Sequence, residues 1–120
     1  MSIIEKRDIY IAKWIKEEYD INDDATQVYD KPVKLSCVLN SLNSSFEIAA
    51  YGDKIKDMCK TFLDYDEWIG NIKVKDVAYL YGTTPNDEIL NGDNANYRVK
   101  AVMPQNKKIL VYFESIIPNG

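Results

Sequence analysis

The chain has 120 residues, of which 46% are hydrophobic, and its net charge is -4. This length predicts one domain over residues 1–120 with a single core. The acidic balance argues against a general electrostatic grip on duplex DNA or on anionic lipid. The sequence contains no histidine, which excludes Ser–His and Cys–His nucleophile pairs and histidine-ligated zinc. We therefore expect no catalysis, no metal and no cofactor.

Cysteine content and the N-terminal segment bear on the cellular compartment. Cys37 and Cys59 are too few for a disulfide scaffold, and both are predicted to be buried free thiols. Residues 1–10 interleave charged side chains with isoleucines, so this segment lacks the apolar centre of a secretion signal. No stretch approaches the ~20 apolar residues of a membrane-spanning helix. These features predict synthesis in a cytoplasm and no membrane partner.

The first forty residues predict two strands. Residues 8–19 are rich in isoleucine and aromatic residues, and their spacing fits both a strand face and a helical stripe. Their β-branched and aromatic content favours the strand, and the polar run 20–26 then forms a long hairpin tip. After Pro32, residues 33–39 alternate apolar and polar side chains, which predicts a half-buried strand.

One short helix is indicated near the middle of the chain. Ser44 and Glu47 have the spacing of a capping box, in which a serine hydroxyl accepts an amide hydrogen bond and the glutamate reaches back to the cap. Gly52 stands where a left-handed residue would end this helix, which predicts helix over residues 45–51. The next segment, residues 55–63, fits a helix and a strand equally well, and the sequence leaves both open.

The second half of the chain predicts further strands. Residues 72–81 are β-branched and aromatic, with a kink at Lys75-Asp76, and residues 82–92 form a polar loop. Residues 97–103 and 108–114 form a C-terminal hairpin. Strict alternation in this hairpin directs five side chains into the core: Val99, Ala101, Ile109, Val111 and Phe113.

These elements predict a mainly β fold. We expect a small β-barrel or sandwich of five to six antiparallel strands with one short helix.

One local pattern resembles a calcium site and fails at its key positions. Asp20, Asn22 and Asp24 begin like a calcium loop, but the sixth position is Ala25 and the twelfth is Lys31, where glycine and glutamate are required. The five glycines are scattered and form no phosphate-binding loop. One carboxylate cluster is interpreted as surface charge rather than an acid–base pair: Asp64, Asp66 and Glu67.

Opposite charges are segregated between neighbouring segments near the C-terminus. Residues 82–93 contain three acids and no cation, whereas residues 94–113 contain four cations and no acid. One interpretation is a solvated hairpin beside a solvated loop. The other is a head-to-tail interface between copies of the chain, which closes into a ring when the rotation permits. That interface would use Asp87, Glu88, Asp93, Arg98, Lys100, Lys107 and Lys108.

Several short segments between residues 44 and 114 resemble one known family in their order and spacing. None of them is a catalytic signature. They are SFEI at 45–48, YGD at 51–53, the lysine- and methionine-containing segment 54–62, VKDVAYL at 74–80, NANYRV at 94–99, PQN at 104–106 and ILVYFE at 109–114. The chain resembles the small neck proteins of long-tailed bacteriophages and prophages, known as head-tail stopper, head-closure or head-tail joining proteins. Residues 8–39 match the family's opening hairpin loosely, and Cys59 stands where the family usually has an aromatic or small residue.

The resemblance implies structural work in the virion neck. It implies a ring of this protein under the portal and its adaptor, which helps to retain packaged DNA and gives the tail a docking surface. The implied partners are other copies of the chain, the portal adaptor and the tail-completion proteins, and DNA passes through without sequence-specific contact. We expect the isolated chain to be a monomer in dilute solution, because premature rings would compete with assembly.

A second interpretation is an OB-like barrel that binds single-stranded nucleic acid. In such barrels, exposed tyrosines stack on bases above a basic groove. The candidate residues are Tyr97, Arg98, Lys100 and Tyr112. The net charge of -4 opposes this interpretation.

Overall fold

Strands are the main secondary structure of the computed structural model, which describes residues 6–85 and 95–116. The strands are β1 Arg7–Ala12, β2 Trp14–Tyr19, β3 Ala25–Tyr29, β4 Val33–Cys37, β5 Met58–Asp64, β6 Val77–Tyr79, β7 Tyr97–Pro104 and β8 Lys108–Ser115. The helices are α1 Ser45–Tyr51, a 3-10 helix over Gly52–Asp57, and α2 Tyr65–Trp68. The mainly β fold predicted from the sequence is confirmed.

Six strands form one antiparallel sheet in the order β4-β1-β6-β7-β8-β5, and β2 and β3 form a separate two-stranded sheet. The large sheet curls until its two edges approach each other. Just beyond β4, the backbone of Asn40 exchanges two hydrogen bonds of 2.9 Å with Lys60 of β5. This bridge holds the sheet as a half-barrel.

The predicted strand over residues 8–19 is divided in two at Lys13. The amide of Trp14 donates a hydrogen bond of 2.9 Å to Oδ1 of Asp76, which draws the chain out of the large sheet. The chain then forms the β2–β3 hairpin before it returns to the sheet as β4. The two strands of this hairpin add to the six of the large sheet, and its turn lies within the predicted polar tip.

The core lies on the concave face of the curled sheet. The largest cluster of buried side chains joins Ile9, Ile11, Cys37, Cys59, Leu63, Trp68, Ile72, Ala78, Leu80, Val99, Ile109, Val111 and Phe113. Cys37 and Cys59 are buried and unpaired, as predicted. Burial raises the pKa of Cys59 to about 11, so this thiol stays neutral and unreactive near pH 7.

The segment 55–63, which the sequence left open, takes both forms in succession. The 3-10 helix ends at Asp57, and β5 pairs with β8 from Met58 to Asp64. Cys59 and Leu63 join the large core cluster, whereas Met58 packs in a smaller cluster on the opposite face of the sheet. The pairing with β8 therefore selects the strand.

The predicted strand 72–81 shrinks to the three residues of β6. The expected kink is present, because Lys75 adopts a φ of 101° just before Asp76. The loop that follows lies partly outside the described residues, which resume at Ala95.

The C-terminal hairpin forms as predicted, but one side chain was placed on the wrong face. The β7–β8 register shifts between Val99 and Ala101, so a bulge interrupts the alternation. Ala101 therefore packs against the outer cluster that contains Leu110 and Tyr112. Val102 takes the place beside the core that Ala101 was expected to fill.

The predicted helix is α1, and its capping glutamate has a second role. The Ser44 hydroxyl accepts from the Glu47 amide at 3.1 Å, and Oε1 of Glu47 accepts from the Ser44 amide at 3.0 Å. The other oxygen, Oε2, accepts from Lys60 Nζ at 2.7 Å and from the Tyr112 hydroxyl at 2.9 Å. The cap of α1 is thereby tied to β5 and β8.

Glu47 is only 1% exposed, and its charge is stabilised by this network. Burial opposes ionisation, but the Lys60 ammonium, the Tyr112 hydroxyl and the amides of Ser44 and Asn43 outweigh it and lower the pKa to about 2. Burial and the Glu47 carboxylate raise the pKa of Tyr112 to about 12, so its hydroxyl remains a donor. At neutral pH the Glu47 carboxylate is therefore ionised and keeps all of its hydrogen bonds.

We predict an acid-sensitive stability that depends on Glu47. Because the folded-state pKa is about 2 and the ordinary value is 4.5, the contribution is complete above pH 4.5 and is lost as the pH falls towards 2. Its size is on the order of 3 kcal/mol. Glu47→Gln should unfold at lower denaturant concentration at pH 7 and show a flatter stability profile below pH 4.5.

The matched control is Asp53→Asn, which removes an exposed carboxylate from the neighbouring 3-10 helix. Urea unfolding from pH 7 to pH 2.5 should give this variant the same profile as the unchanged protein. A Glu47→Gln profile as steep as that of the unchanged protein would assign the acid sensitivity to other groups.

We predict that the core depends on the inward side chains of β8. Phe113 is fully buried, and Phe113→Ala should lower the free energy of unfolding by about 3 to 5 kcal/mol through lost burial and a residual cavity. Lys107→Ala, in the exposed turn before β8, should change it by less than ~0.5 kcal/mol. Equal midpoints for the two variants in urea would refute this assignment of the core.

Candidate functional site

The β2–β3 hairpin is the most exposed part of the described structure. All residues of β2 after Trp14 are exposed, and no residue of either strand is fully buried. Ile21 at the turn is 98% exposed, and Ile15 and Tyr19 are also largely open to solvent. An isolated two-stranded hairpin is marginally stable in water, so its orientation must come from contacts at its base.

Polar side chains brace one face of this hairpin. The indole Nε1 of Trp14 donates to Oε1 of Gln27 at 2.6 Å, and Nε2 of Gln27 donates to Oε1 of Glu17 at 3.0 Å. At the tip, Oδ1 of Asp20 accepts from the amides of Asn22 and Asp24. The carboxylate that resembled a calcium ligand therefore closes a turn.

Asp76 anchors the base of the hairpin to the large sheet. Its side chain accepts from the Trp14 amide through Oδ1 and from the Lys73 amide through Oδ2, both at 2.9 Å. Its backbone carbonyl accepts from the Val99 amide at 2.9 Å, and the ammonium of Lys75 lies 4.2 Å from the centre of the Trp14 ring. One buried aspartate thus fixes where the hairpin leaves the sheet.

Burial raises the pKa of Asp76, and the two amide bonds together with the charges of Lys13 and Lys73 oppose this rise. A carboxyl group held by such donors positions backbone. The hydrogen-bond partners of its side chain are the backbone amides of Trp14 and Lys73.

Two open grooves lie at opposite ends of β1. The first, of about 520 Å³, lies beneath the hairpin between Trp14, Val77 and Arg98. The second, of about 450 Å³, lies between β4 and β5 and is lined by Lys6, Ser36, Cys37, Val38, Asn40, Thr61, Phe62 and Lys108. We call this second groove the seam.

Two of the predicted interface cations, Arg98 and Lys100, lie beside the same carboxylate within the chain, that of Glu114. Nε and a terminal nitrogen of Arg98 donate to Oε1 of Glu114 at 3.0 and 2.7 Å, and Lys100 lies 4.0 Å from Oε2 of the same carboxylate. Lys107 and Lys108 lie in and beside the exposed turn between β7 and β8. The three predicted acidic residues, Asp87, Glu88 and Asp93, lie outside the described residues.

The four residues proposed for base stacking do not form an exposed platform. Tyr112 is buried, and its hydroxyl is bonded to Glu47. Arg98 is engaged by Glu114, and Tyr97 packs against the ring of Tyr81 at 5.7 Å. The sequence could not foresee this, because alternation alone does not tell which face of a curled sheet a helix covers.

The predicted surface carboxylates are exposed, as expected. Asp64 caps α2 by accepting from the Glu67 amide at 3.1 Å, and Asp66 and Glu67 lie in the first turn of that helix. Within residues 6–85 and 95–116, no three cysteine, aspartate or glutamate side chains are grouped so as to hold a metal ion. In the same residues, no helix has the length and apolar character needed to cross a membrane.

Comparison with known proteins gives a likeness of fold. No protein family model matches the chain, and no curated protein matches it. The chain is similar to protein SF1141 of Shigella flexneri 2a, known from a solution structure, with a TM-score of 0.59, 17% identity and 97% of each chain covered. At this identity, the likeness establishes a shared fold along nearly the whole chain.

We predict that loss of one carboxylate oxygen at Asp76 loosens the hairpin. In Asp76→Asn, the side-chain amide cannot accept from both Trp14 and Lys73, which leaves one backbone amide without its partner. The free energy of unfolding should fall by about 1 to 3 kcal/mol. The Trp14 amide should exchange with deuterium much faster, whereas the amides of β8 should exchange faster only in proportion to the loss of global stability.

Asp66→Asn is the control, because it removes a charge from an exposed helix turn. Its Trp14 amide should exchange as in the unchanged protein. Unaltered exchange in Asp76→Asn would show that the hairpin is held by other contacts.

Proposed function

We propose that this protein is a structural component of the neck of a tailed bacteriophage or prophage. After synthesis in the cytoplasm of the bacterial host, it takes its place in the head-tail connector ring of the virion. There it closes the DNA-filled head and gives the tail a surface for attachment. Its partners are other copies of itself, the portal adaptor and the tail-completion proteins.

The projecting β2–β3 hairpin is the observation that carries this proposal. It exposes Ile15, Tyr19 and Ile21, and most of its residues contribute little to the core of the chain. A marginally stable ribbon with exposed apolar side chains gains its stability from a second molecule. Such an arm suits a subunit whose work is assembly.

The sequence resemblance supports the same proposal. The resembling segments fall on α1, on the 3-10 helix and β5, around β6, and on β7 and β8. These elements build one side of the half-barrel and its helix. They include Glu47 and Tyr112, which join the helix to the sheet. The resemblance thus follows the scaffold of the fold.

The charge of the chain also suits a DNA conduit. A net charge of -4 makes the protein repel phosphate, and an acidic ring lets DNA slide where a basic ring would hold it. The carboxylate of Glu114, which lies beside Arg98 and Lys100, offsets one of the positive charges that would otherwise attract DNA.

The test is removal of the gene from the phage or inducible prophage that carries it. We expect DNA-filled heads that lack tails and lose their DNA, and recovery of tailed particles when the protein is supplied in trans. Mass spectrometry and antibody labelling of purified virions should place the protein between head and tail. Normal tailed particles without the gene, or virions that lack the protein, would refute the proposal.

A further inference from the structure

The negative charge of the chain is concentrated on the projecting hairpin. Of 19 acids and 15 cations, five acids and one cation lie in residues 14–29, which leaves fourteen of each sign elsewhere. The hairpin therefore carries the whole net charge of -4. Its tip adds the fully exposed side chain of Ile21.

The seam presents an unpaired strand edge. Both backbone hydrogen bonds of Lys60 on the outer side of β5 go to Asn40. In an antiparallel strand, the N–H and C=O two residues further on point to the same side, so those of Phe62 point into the seam. Among the described residues, β5 has β8 as its strand partner on one side and only the Asn40 bridge on the other. The Phe62 side chain is itself 43% exposed.

The lining of the seam complements the hairpin in charge. Lys6 and Lys108 lie on its walls, and its described lining contains no acid. Thr61 also lines it, and its side chain is fully buried. A groove with cations and an open strand edge suits an acidic extended segment.

The hairpin and the seam of one chain lie too far apart to meet. The hairpin follows the C-terminal end of β1 at Ala12, whereas Lys6 and Cys37 place the seam at its N-terminal end, where Arg7 pairs with Cys37. The six residues of β1 separate the two by about 20 Å. Asp76 also fixes the hairpin at its own end of the sheet.

We propose that the acidic β2–β3 hairpin of one copy docks in the seam of a second copy. In this contact, a hairpin edge pairs with β5 at Phe62, and hairpin carboxylates approach Lys6 and Lys108. The two surfaces differ and lie at opposite ends of β1. The contact is therefore head-to-tail and propagates into a ring or a filament. The inference rests on the proposed function only for the closed ring; the contact itself follows from the two surfaces.

The first test traps the contact between two purified variants. Ile21→Cys and Phe62→Cys are mixed at high concentration and oxidised, and a mixed disulfide dimer is expected. In the control, Val74→Cys takes the place of Phe62→Cys. Val74 is also exposed but lies outside the seam, so the yield of mixed dimer should fall about tenfold. The native cysteines are buried, so the unchanged protein should form no disulfide-linked dimer under oxidation. Equal yields for the two pairs would overturn the proposal.

The second test exchanges the charges. Glu18→Lys with Asp24→Lys on the Ile21→Cys chain should lower the mixed dimer about tenfold, because both changes place cations against Lys6 and Lys108. Adding Lys6→Glu with Lys108→Glu to the Phe62→Cys chain should restore it. Far-ultraviolet circular dichroism and urea midpoints check that each variant is folded. Failure of the exchange to restore the dimer in folded variants would refute the charge pairing.

The same variants separate this inference from the proposed function. If the purified variants cross-link but the protein is absent from virions, the contact stands and the neck assignment is refuted. Incorporation into virions without any hairpin–seam cross-link, either there or in solution, would leave the neck assignment standing and refute the contact.

Discussion

The curled sheet depends on one buried carboxylate, that of Glu47. It joins the cap of α1 to Lys60 on one strand and Tyr112 on another, and Lys60 is also the residue whose backbone bridges the two edges of the sheet. Burying a charge is costly unless it is paired and fully bonded. Here four donors surround it, so removing any one of them would leave the carboxylate underbonded in a place that water hardly reaches.

A second buried carboxylate, Asp76, acts on the other end of the molecule. The hydrogen-bond partners of its side chain are backbone amides, so Asp76 sets the direction of the chain. Glu47, in contrast, joins side chains of different elements. One carboxylate thereby holds the barrel together, and the other directs the hairpin away from it. This division explains how a chain of this size can keep a well-packed core and still extend an arm into solvent.

The same division separates charge. Outside residues 14–29 the sequence contains equal numbers of acids and cations, whereas the hairpin carries the excess acid. Two of the cations on β7, Arg98 and Lys100, lie beside the carboxylate of Glu114. An acidic arm and the rest of the molecule provide complementary surfaces on a single chain if the rest of the molecule offers a basic site. The walls of the seam offer one in Lys6 and Lys108. Lys108 belongs to the basic segment that charge counting along the sequence indicates, whereas Lys6 is remote from it in sequence.

The sequence by itself determined what short-range rules control. The capping box at Ser44 and Glu47, the kink at Lys75, the buried thiols and the C-terminal hairpin each depend on neighbours within a few residues or on plain apolar alternation. The absence of histidine likewise limits the chemistry open to the chain before any fold is known.

The tertiary structure decided whatever depends on partners distant in sequence. The break at Lys13 requires Asp76, 62 residues beyond Trp14. The strand at Met58–Asp64 requires β8, and the turned-out Ala101 requires the bulge that the same strand imposes. The roles of Arg98 and Tyr112 also changed, because Glu114 and Glu47 reach them only once the sheet has curled. Local patterns specify which segments become strands, but the pairing of strands specifies which side chains remain free to meet another molecule.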